Sequence, residues 1–162
     1  MKPLSLLSLA AVLAIALPAS AQNAGQIAAA RKGANCPSCN LFQADFSGLE
    51  IKGRNYAGAR LRQADLSVSV MNRANFRGAD LRDVNAYGGV FSSANFAGAD
   101  LTQASFVGAY LEGANFAGAN LDGTNLSGAE MDRARGLSQA QLNRACGDGA
   151  TRLPPGLRVP GC

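Results

Sequence analysis

None of the 162 residues is a histidine. This removes the commonest general base and the commonest metal ligand, so Ser/His/Asp and Cys/His arrangements are excluded. Charged residues make up only 16% of the chain, and their signs are mixed, with 15 Lys+Arg against 11 Asp+Glu for a formal net charge of +4. So mild a surplus does not call for a nucleic-acid partner. Outside the N-terminal apolar run no segment is long and apolar enough to cross a membrane. That run carries no twin-arginine pair and has no cysteine beside its end to hold a lipid. Glycine pairs such as Gly88-Gly89 lack the strand–loop–helix setting and the lysine of a phosphate cradle. The two cysteines Cys36 and Cys39, with no histidine to join them, fall short of the four ligands a zinc ion wants. No cofactor is implied.

What the chain does have is a period of five. From Leu41 to Met131 every fifth residue is apolar, nineteen times in succession. A small residue stands two places before most of these (Ala44, Ala64, Ala74, Ala94, Ala114), and Asn or Asp stands one place before (Asp45, Asn75, Asp80, Asn95, Asn115). Five is neither the 3.6 of a helix nor the 2 of a strand. A second period runs at twenty. Leu41, Leu61, Leu81, Leu101 and Leu121 are all leucine, and Tyr56, Phe76, Phe96 and Phe116 are all aromatic. Like residues twenty apart stack if the chain turns four corners per coil with five residues to a side. Stacked at the spacing of parallel strands, under five coils make a rod on the order of 23 Å long. The many Asn and Asp residues recur at fixed places in the repeat, which accounts for them without a catalytic carboxylate pair. Asn125-Leu126-Ser127 matches a glycosylation sequon only because Asn and Leu are the standard repeat residues there.

The A-(N/D)-(L/F)-x-x pattern over residues 39–133 resembles the pentapeptide repeat family. The resemblance implies an all-β solenoid: a right-handed, quadrilateral β-helix of about five coils, with the central Leu/Phe and the small residue two before it both facing inward. Leu49, Arg54, Ser69, Val84 and Gly89 depart from the small alanine. Arg54 is the awkward departure, because a charge at an inward site needs a partner or solvent, and its place in the first coil predicts a position near an open end. Ala86, the smallest central residue, is followed by Phe91 and Phe96, which balances volume within that coil.

The ends read differently. Residues 1–21 have the form of a secretory signal: Lys2 before an apolar Leu4–Leu17 and an Ala19-Ser20-Ala21 cleavage site. Cleavage near Ala21 would place the mature chain in the periplasm or outside the cell, with no membrane segment and a net charge reduced by the loss of Lys2. Residues 22–38 form an N-terminal cap segment, with Ala24–Lys32 as a helix stopped by Gly33 and Ile27 over the first coil. Residues 134–162 form a C-terminal cap and tail. There Ser138 N-caps a helix over Gln139–Ala145 with Gln141 as capping-box partner, and Leu137 and Leu142 lie over the last coil. Four cysteines in an exported chain imply two disulfides. Pairing Cys146 with Cys36 or Cys39 would span the rod, which a bond limited to about 7 Å between Cα atoms cannot do. That leaves Cys36–Cys39 and Cys146–Cys162.

Two features bear on function. Cys36-Pro37-Ser38-Cys39 has the C-x-x-C spacing of thiol–disulfide oxidoreductases, but it precedes a solenoid rather than a helix within a βαβ unit, which favours a structural staple. Val70, Val90 and Tyr110 stack just before the third apolar column, while Val68, Tyr87 and Val107 fall on the neighbouring side near the shared edge. Together they predict an apolar strip for a protein partner on an otherwise polar surface, unless the tail Leu153–Val159 covers it. The reading that follows is a non-enzymatic, exported β-solenoid acting as a rigid interaction or structural module. Two caps predict a monomer, with a dimer through the strip as the alternative. A redox protein using Cys36 and Cys39 is one rival. The family resemblance supplies another, a DNA mimic acting on topoisomerases, which the basic charge and the export signal oppose.

Overall fold

The computed structural model describes residues 22–162. The signal sequence read in Met1–Ala21 lies outside the described residues. From Asn40 to Asn115 every fifth residue pairs in parallel with the residue twenty places on: Asn40 with Arg60, Asp45 with Asp65, Glu50 with Val70, Asn55 with Asn75, and so on to Asn115 with Arg135. The chain therefore makes a four-sided coil, and each side contributes one short parallel rung. Side 1 is centred on the Leu41 column, side 2 on Phe46, side 3 on Ile51 and side 4 on Tyr56.

The rungs show why five residues make a side. Phe76 N donates to Asn95 O at 2.8 Å, Gly78 N donates to Ala97 O at 2.9 Å, and Asn75 N donates back to Arg54 O at 2.8 Å. Ala79 N then donates to Phe76 O at 3.0 Å, closing a β-turn whose third residue, Gly78, has φ +62°. A positive φ at that place marks a type II turn and favours glycine. Eight corners among the described residues manage without it: Ser38, Gln43, Gln63, Val68, Arg73, Asp83, Ser93 and Gln103 adopt the same left-handed conformation. The rungs on either side of the corner hold it in place.

The interior is largely apolar and layered. The central residues from Leu41 to Met131 are all buried. Tyr56, Phe76, Phe96 and Phe116 form a continuous stack with centroid spacings of 5.5, 5.2 and 5.2 Å. Phe91 meets this stack edge-on, 6.0 Å from Phe96, and also meets Phe106 at 5.8 Å. Gly89 makes room for Phe91, because a Cβ on Gly89 would lie 2.4 Å from the Phe91 ring. The remaining departures resolve individually. Val84 is buried, and the buried Ser69 hydroxyl donates to Leu66 O at 2.7 Å. Leu49 packs half-buried against the core. Arg54 is exposed and turns its guanidinium toward Gly33 at the N-terminal end of the rod.

Both ends are covered. Helix α1 (Ala24–Arg31) is capped by the Asn23 side chain. It ends one residue before the predicted Lys32, because Gly33 N bonds Ala30 O and Ala34 N bonds Ala29 O in a Schellman turn through Gly33 at φ +84°. Ala30 is fully buried, Ile27 packs against the core, and Gln26 Oε1 accepts from Asn40 N at 2.8 Å. Helix α2 (Gln139–Leu142) has the capping box of Ser138 and Gln141 but stops well short of Ala145. Past Leu142 the backbone joins the ladder instead: Gly123 N donates to Arg144 O at 2.7 Å and Cys146 N to Thr124 O at 2.9 Å. These rungs satisfy the last coil's open edge, which a longer helix would leave bare. Gln141 Nε2 reaches Phe116 O and Ala119 O, both at 2.9 Å, and Leu142 is fully buried.

Candidate interaction surface

The third apolar column sits behind a surface column that runs Glu50, Val70, Val90, Tyr110, Glu130, and each member pairs in parallel with the next. The ladder thus fixes the three apolar side chains one above another, bracketed by a carboxylate at each end. Across the corner between sides 2 and 3, Val68 N donates to Tyr87 O and Gly88 N to Val107 O. Val68, Tyr87 and Tyr110 are 55%, 57% and 47% exposed, while Val70, Val90 and Val107 are half-buried. The six residues therefore come together along one edge of the rod. The tail does not cover them: Leu153, Leu157 and Val159 pack against the core, and Gln139 holds Arg158 over the end of the rod through bonds of 2.8 and 3.1 Å.

Val68 stands out within the strip. It is β-branched, yet it occupies a corner at φ +48°, where most neighbouring coils place glycine (Gly48, Gly88, Gly108, Gly128). An L-residue in that region costs about 1–2 kcal/mol. Strain and apolar exposure coincide at this residue.

The charges of side 1 neutralise one another. Arg82 bonds Asp80 at 2.7 Å and lies 3.7 Å from Asp100, while Arg62 reaches Asp83 at 3.2 Å. The Arg82 hydrogen bond holds the Asp80 carboxyl below its usual range. Arg60 lies over the Phe42 ring at 5.3 Å. A shallow cleft of about 290 Å³ beside α2 is lined by Asn120, Leu121, Gln141 and others, and the Asp122–Arg144 ion pair stands at its wall. Asp122 Oδ1 is buried and faces the Arg144 guanidinium. Among the described residues no group of three or more His, Cys, Asp or Glu is placed to hold a metal ion. No helix among them is long and apolar enough to cross a membrane.

Cys36 is bonded to Cys39, with Cα atoms 5.4 Å apart, and Cys146 to Cys162 at 4.8 Å. Cys36 and Cys39 are both buried, and Cys36 N donates to Asn55 O within the first rung, so this disulfide is built into the coil.

The twenty-residue ladder has a counterpart in sequence comparison. The pentapeptide repeat family model matches in eight copies, over residues 57–85, 94–133 and 109–146. The chain belongs to the pentapeptide repeat family. Its four-sided coil is the right-handed quadrilateral β-helix of that family, as the family resemblance implied. Members are in general non-enzymatic structural or interaction modules. Similar solved structures include a pentapeptide repeat protein from Nostoc PCC 7120, 28% identical over 64% of this chain and 77% of that one, with a TM-score of 0.48. Another is a pentapeptide repeat protein of the Arabidopsis thaliana thylakoid lumen, 27% identical over 54% and 68%, with a TM-score of 0.33. A third is QnrB1, a plasmid-mediated fluoroquinolone resistance protein, 21% identical over 69% and 79%, with a TM-score of 0.27. No curated sequence matches the chain.

Proposed function

We propose that this pentapeptide repeat protein is exported and works without catalysis, as a rigid rod that presents the strip on the edge of sides 2 and 3 to a protein partner. One observation carries the reading: the column Val70, Val90, Tyr110, locked coil to coil by parallel pairing, lies beside Val68 and Tyr87, and those two and Tyr110 are about half exposed. A flat apolar surface on a scaffold that cannot flex loses little entropy on docking, which favours recognition. The absence of histidine and the mutual pairing of the side 1 charges argue against general acid–base work on that face. Burial of Cys36 and Cys39 within the ladder favours a staple over a redox site.

The test places a photo-crosslinking residue at Tyr110, with one at Ala97 on side 4 as control. Adducts to one defined polypeptide from Tyr110 and none from Ala97 are expected, and equal labelling from both positions sinks the reading. Export is tested separately by N-terminal sequencing of the chain recovered outside the cytoplasm, where a start at Gln22 is expected and an intact Met1 rejects the signal. A reduction potential of the Cys36–Cys39 pair below about −300 mV marks it as structural.

A further inference from the structure

The positive charge of the rod is gathered on one side. Apart from Lys2, basic residues outnumber acidic ones by three. Arg54, Arg77 and Arg135 stand on side 4 and Arg73 on its edge with side 3, all exposed. None of them forms an ion pair among the described residues. The segments that build side 4, residues 54–58, 74–78, 94–98, 114–118 and 134–136, include no Asp or Glu. The carboxylates flanking it are held by arginines of their own sides: Asp80 and Asp100 by Arg82 on side 1, and Glu112 by Arg133 on side 3. Without Arg54, Arg73, Arg77 and Arg135, residues 22–162 would hold one more acid than base, so the whole surplus sits on this side.

The hydrogen bonding of side 4 has the same polarity. Asn75 Nδ2 donates to Asn55 Oδ1 at 3.0 Å, and Asn95 to Asn75 and Asn115 to Asn95 repeat the bond at 3.3 Å. The same three oxygens accept from the backbone N of Ala57, Arg77 and Ala97, each at 3.1 Å. The ladder thus consumes its acceptors, while each donating amide keeps one N–H that the ladder does not use. Between the arginines the surface is level, since a Cβ on Gly78, Gly98 or Gly118 would meet nothing within 4 Å. The large apolar side chains exposed among the described residues, Val68, Tyr87 and Tyr110, all lie on other sides.

We propose that side 4 docks the rod flat on an anionic phospholipid surface, by electrostatic attraction and without insertion. Arg73 and Arg77 lie toward opposite edges of the side, and Arg135 is three rungs, roughly 14 Å, from Arg77. A charged plane meets all of these cations at once, whereas a linear polyanion follows one direction across the face. Nucleic-acid bases find no exposed aromatic ring on this side on which to stack. With side 4 against the bilayer, the edge of sides 2 and 3 points away from it, so the apolar strip stays free. Each arginine adds about fivefold to partitioning, so the attachment is weak, reversible and salt-sensitive.

Co-sedimentation of the full chain, as purified from its native compartment, tests the inference. The vesicles are phosphatidylcholine alone or phosphatidylcholine with phosphatidylglycerol as a third of the lipid, each at low and high salt. We expect binding to the anionic vesicles only, lost at high salt. Arg73→Gln with Arg77→Gln should lower partitioning by about 25-fold, and Arg73→Lys with Arg77→Lys should keep most of it. Glutamine already occupies left-handed corners at Gln43, Gln63 and Gln103, so the change at Arg73 suits the fold, and far-UV circular dichroism checks that each variant keeps the coil. Arg62→Gln with Arg152→Gln removes the same charge elsewhere and should change partitioning by no more than about twofold. The proposal is overturned by no binding to anionic vesicles, by an equal loss from the two Gln pairs, or by vesicles left unbound while an acidic polysaccharide or duplex DNA is bound. None of these results touches the strip, which stands or falls on crosslinking from Tyr110.

Discussion

Phe76 and Phe96, twenty residues apart, stack with ring centroids 5.2 Å apart and planes 7° from parallel. The relationship follows from one coil holding twenty residues, and it makes side 4 a column of aromatic rings spanning from Tyr56 to Phe116. Phe96 sits at its middle and also touches Phe91 and Phe106. Phe96→Ala empties this junction and should lower unfolding free energy by about 3–5 kcal/mol, read by denaturant titration. A loss below 1 kcal/mol would mean that the neighbouring rings collapse into the gap.

The third coil is packed by a trade between neighbours. Ala86 is small, Phe91 fills the space it leaves, and Gly89 gives way to the Phe91 ring. Gly89→Ala introduces a Cβ 2.4 Å from Phe91 Cε2 and 3.2 Å from Leu66 O. It should destabilise by about 1–3 kcal/mol. Combining it with Phe91→Leu should recover part of that loss, and a thermal melt of the single and double variants checks the coupling.

Val68 is held at φ +48° with an exposed β-branched side chain. Val68→Gly removes a conformational cost of about 1–2 kcal/mol, partly offset by the greater chain entropy of glycine when unfolded, for a net gain of about 0.5–1 kcal/mol. The same change should weaken binding through the strip. Greater stability together with weaker association is the expected pair of results, and a stability loss contradicts it.

The tail is tied down by Cys146–Cys162, which are 16 residues apart in sequence. Replacing both with serine should cost about 3 kcal/mol by releasing that loop in the unfolded chain. The Cys36–Cys39 pair closes a separation of only 3 and should cost less, about 2 kcal/mol. Denaturant midpoints of the two double variants, compared at equal slope, decide the order.

Asp148 anchors the same tail, accepting from Gly128 N at 2.9 Å, Ala150 N at 3.0 Å and Thr151 Oγ1 at 3.2 Å. The Gly128 bond, first among these, holds its carboxyl below the usual 3.8. The folded value is lower than the unfolded one, so the contribution is complete above the ordinary carboxylate range and is lost as pH falls through the lower, folded value. Asp80, lowered chiefly by Arg82, and Asp45, lowered chiefly by the Ser47 hydroxyl, act in the same sense. The melting temperature should fall below about pH 4, and Asp148→Asn, which keeps an acceptor oxygen, should flatten that decline. An unchanged slope would remove Asp148 from the account.

The sequence alone determined the twenty-residue coil, because periods of five and twenty are met most simply by a chain turning four corners per coil, which buries Leu41, Phe76 and their equivalents together; its handedness came from the family resemblance. It also placed Arg54 near an end of the rod, an end that α1 covers, and named the residues of the strip, since position in the repeat fixes which side chains face out. Tertiary structure decided what depends on neighbours twenty residues away. The helix after Ser138 ends at Leu142 because residues 144 and 146 are drawn into the last rungs, a competition invisible to local capping signals. Gln43, Gln63 and Arg73 adopt left-handed corners that their own propensities oppose, because rungs on both sides leave the backbone no alternative. Gly89 looks like a plain departure from alanine until the Phe91 ring is seen against it. Periodicity records which way a side chain points, and contacts between coils decide what it meets.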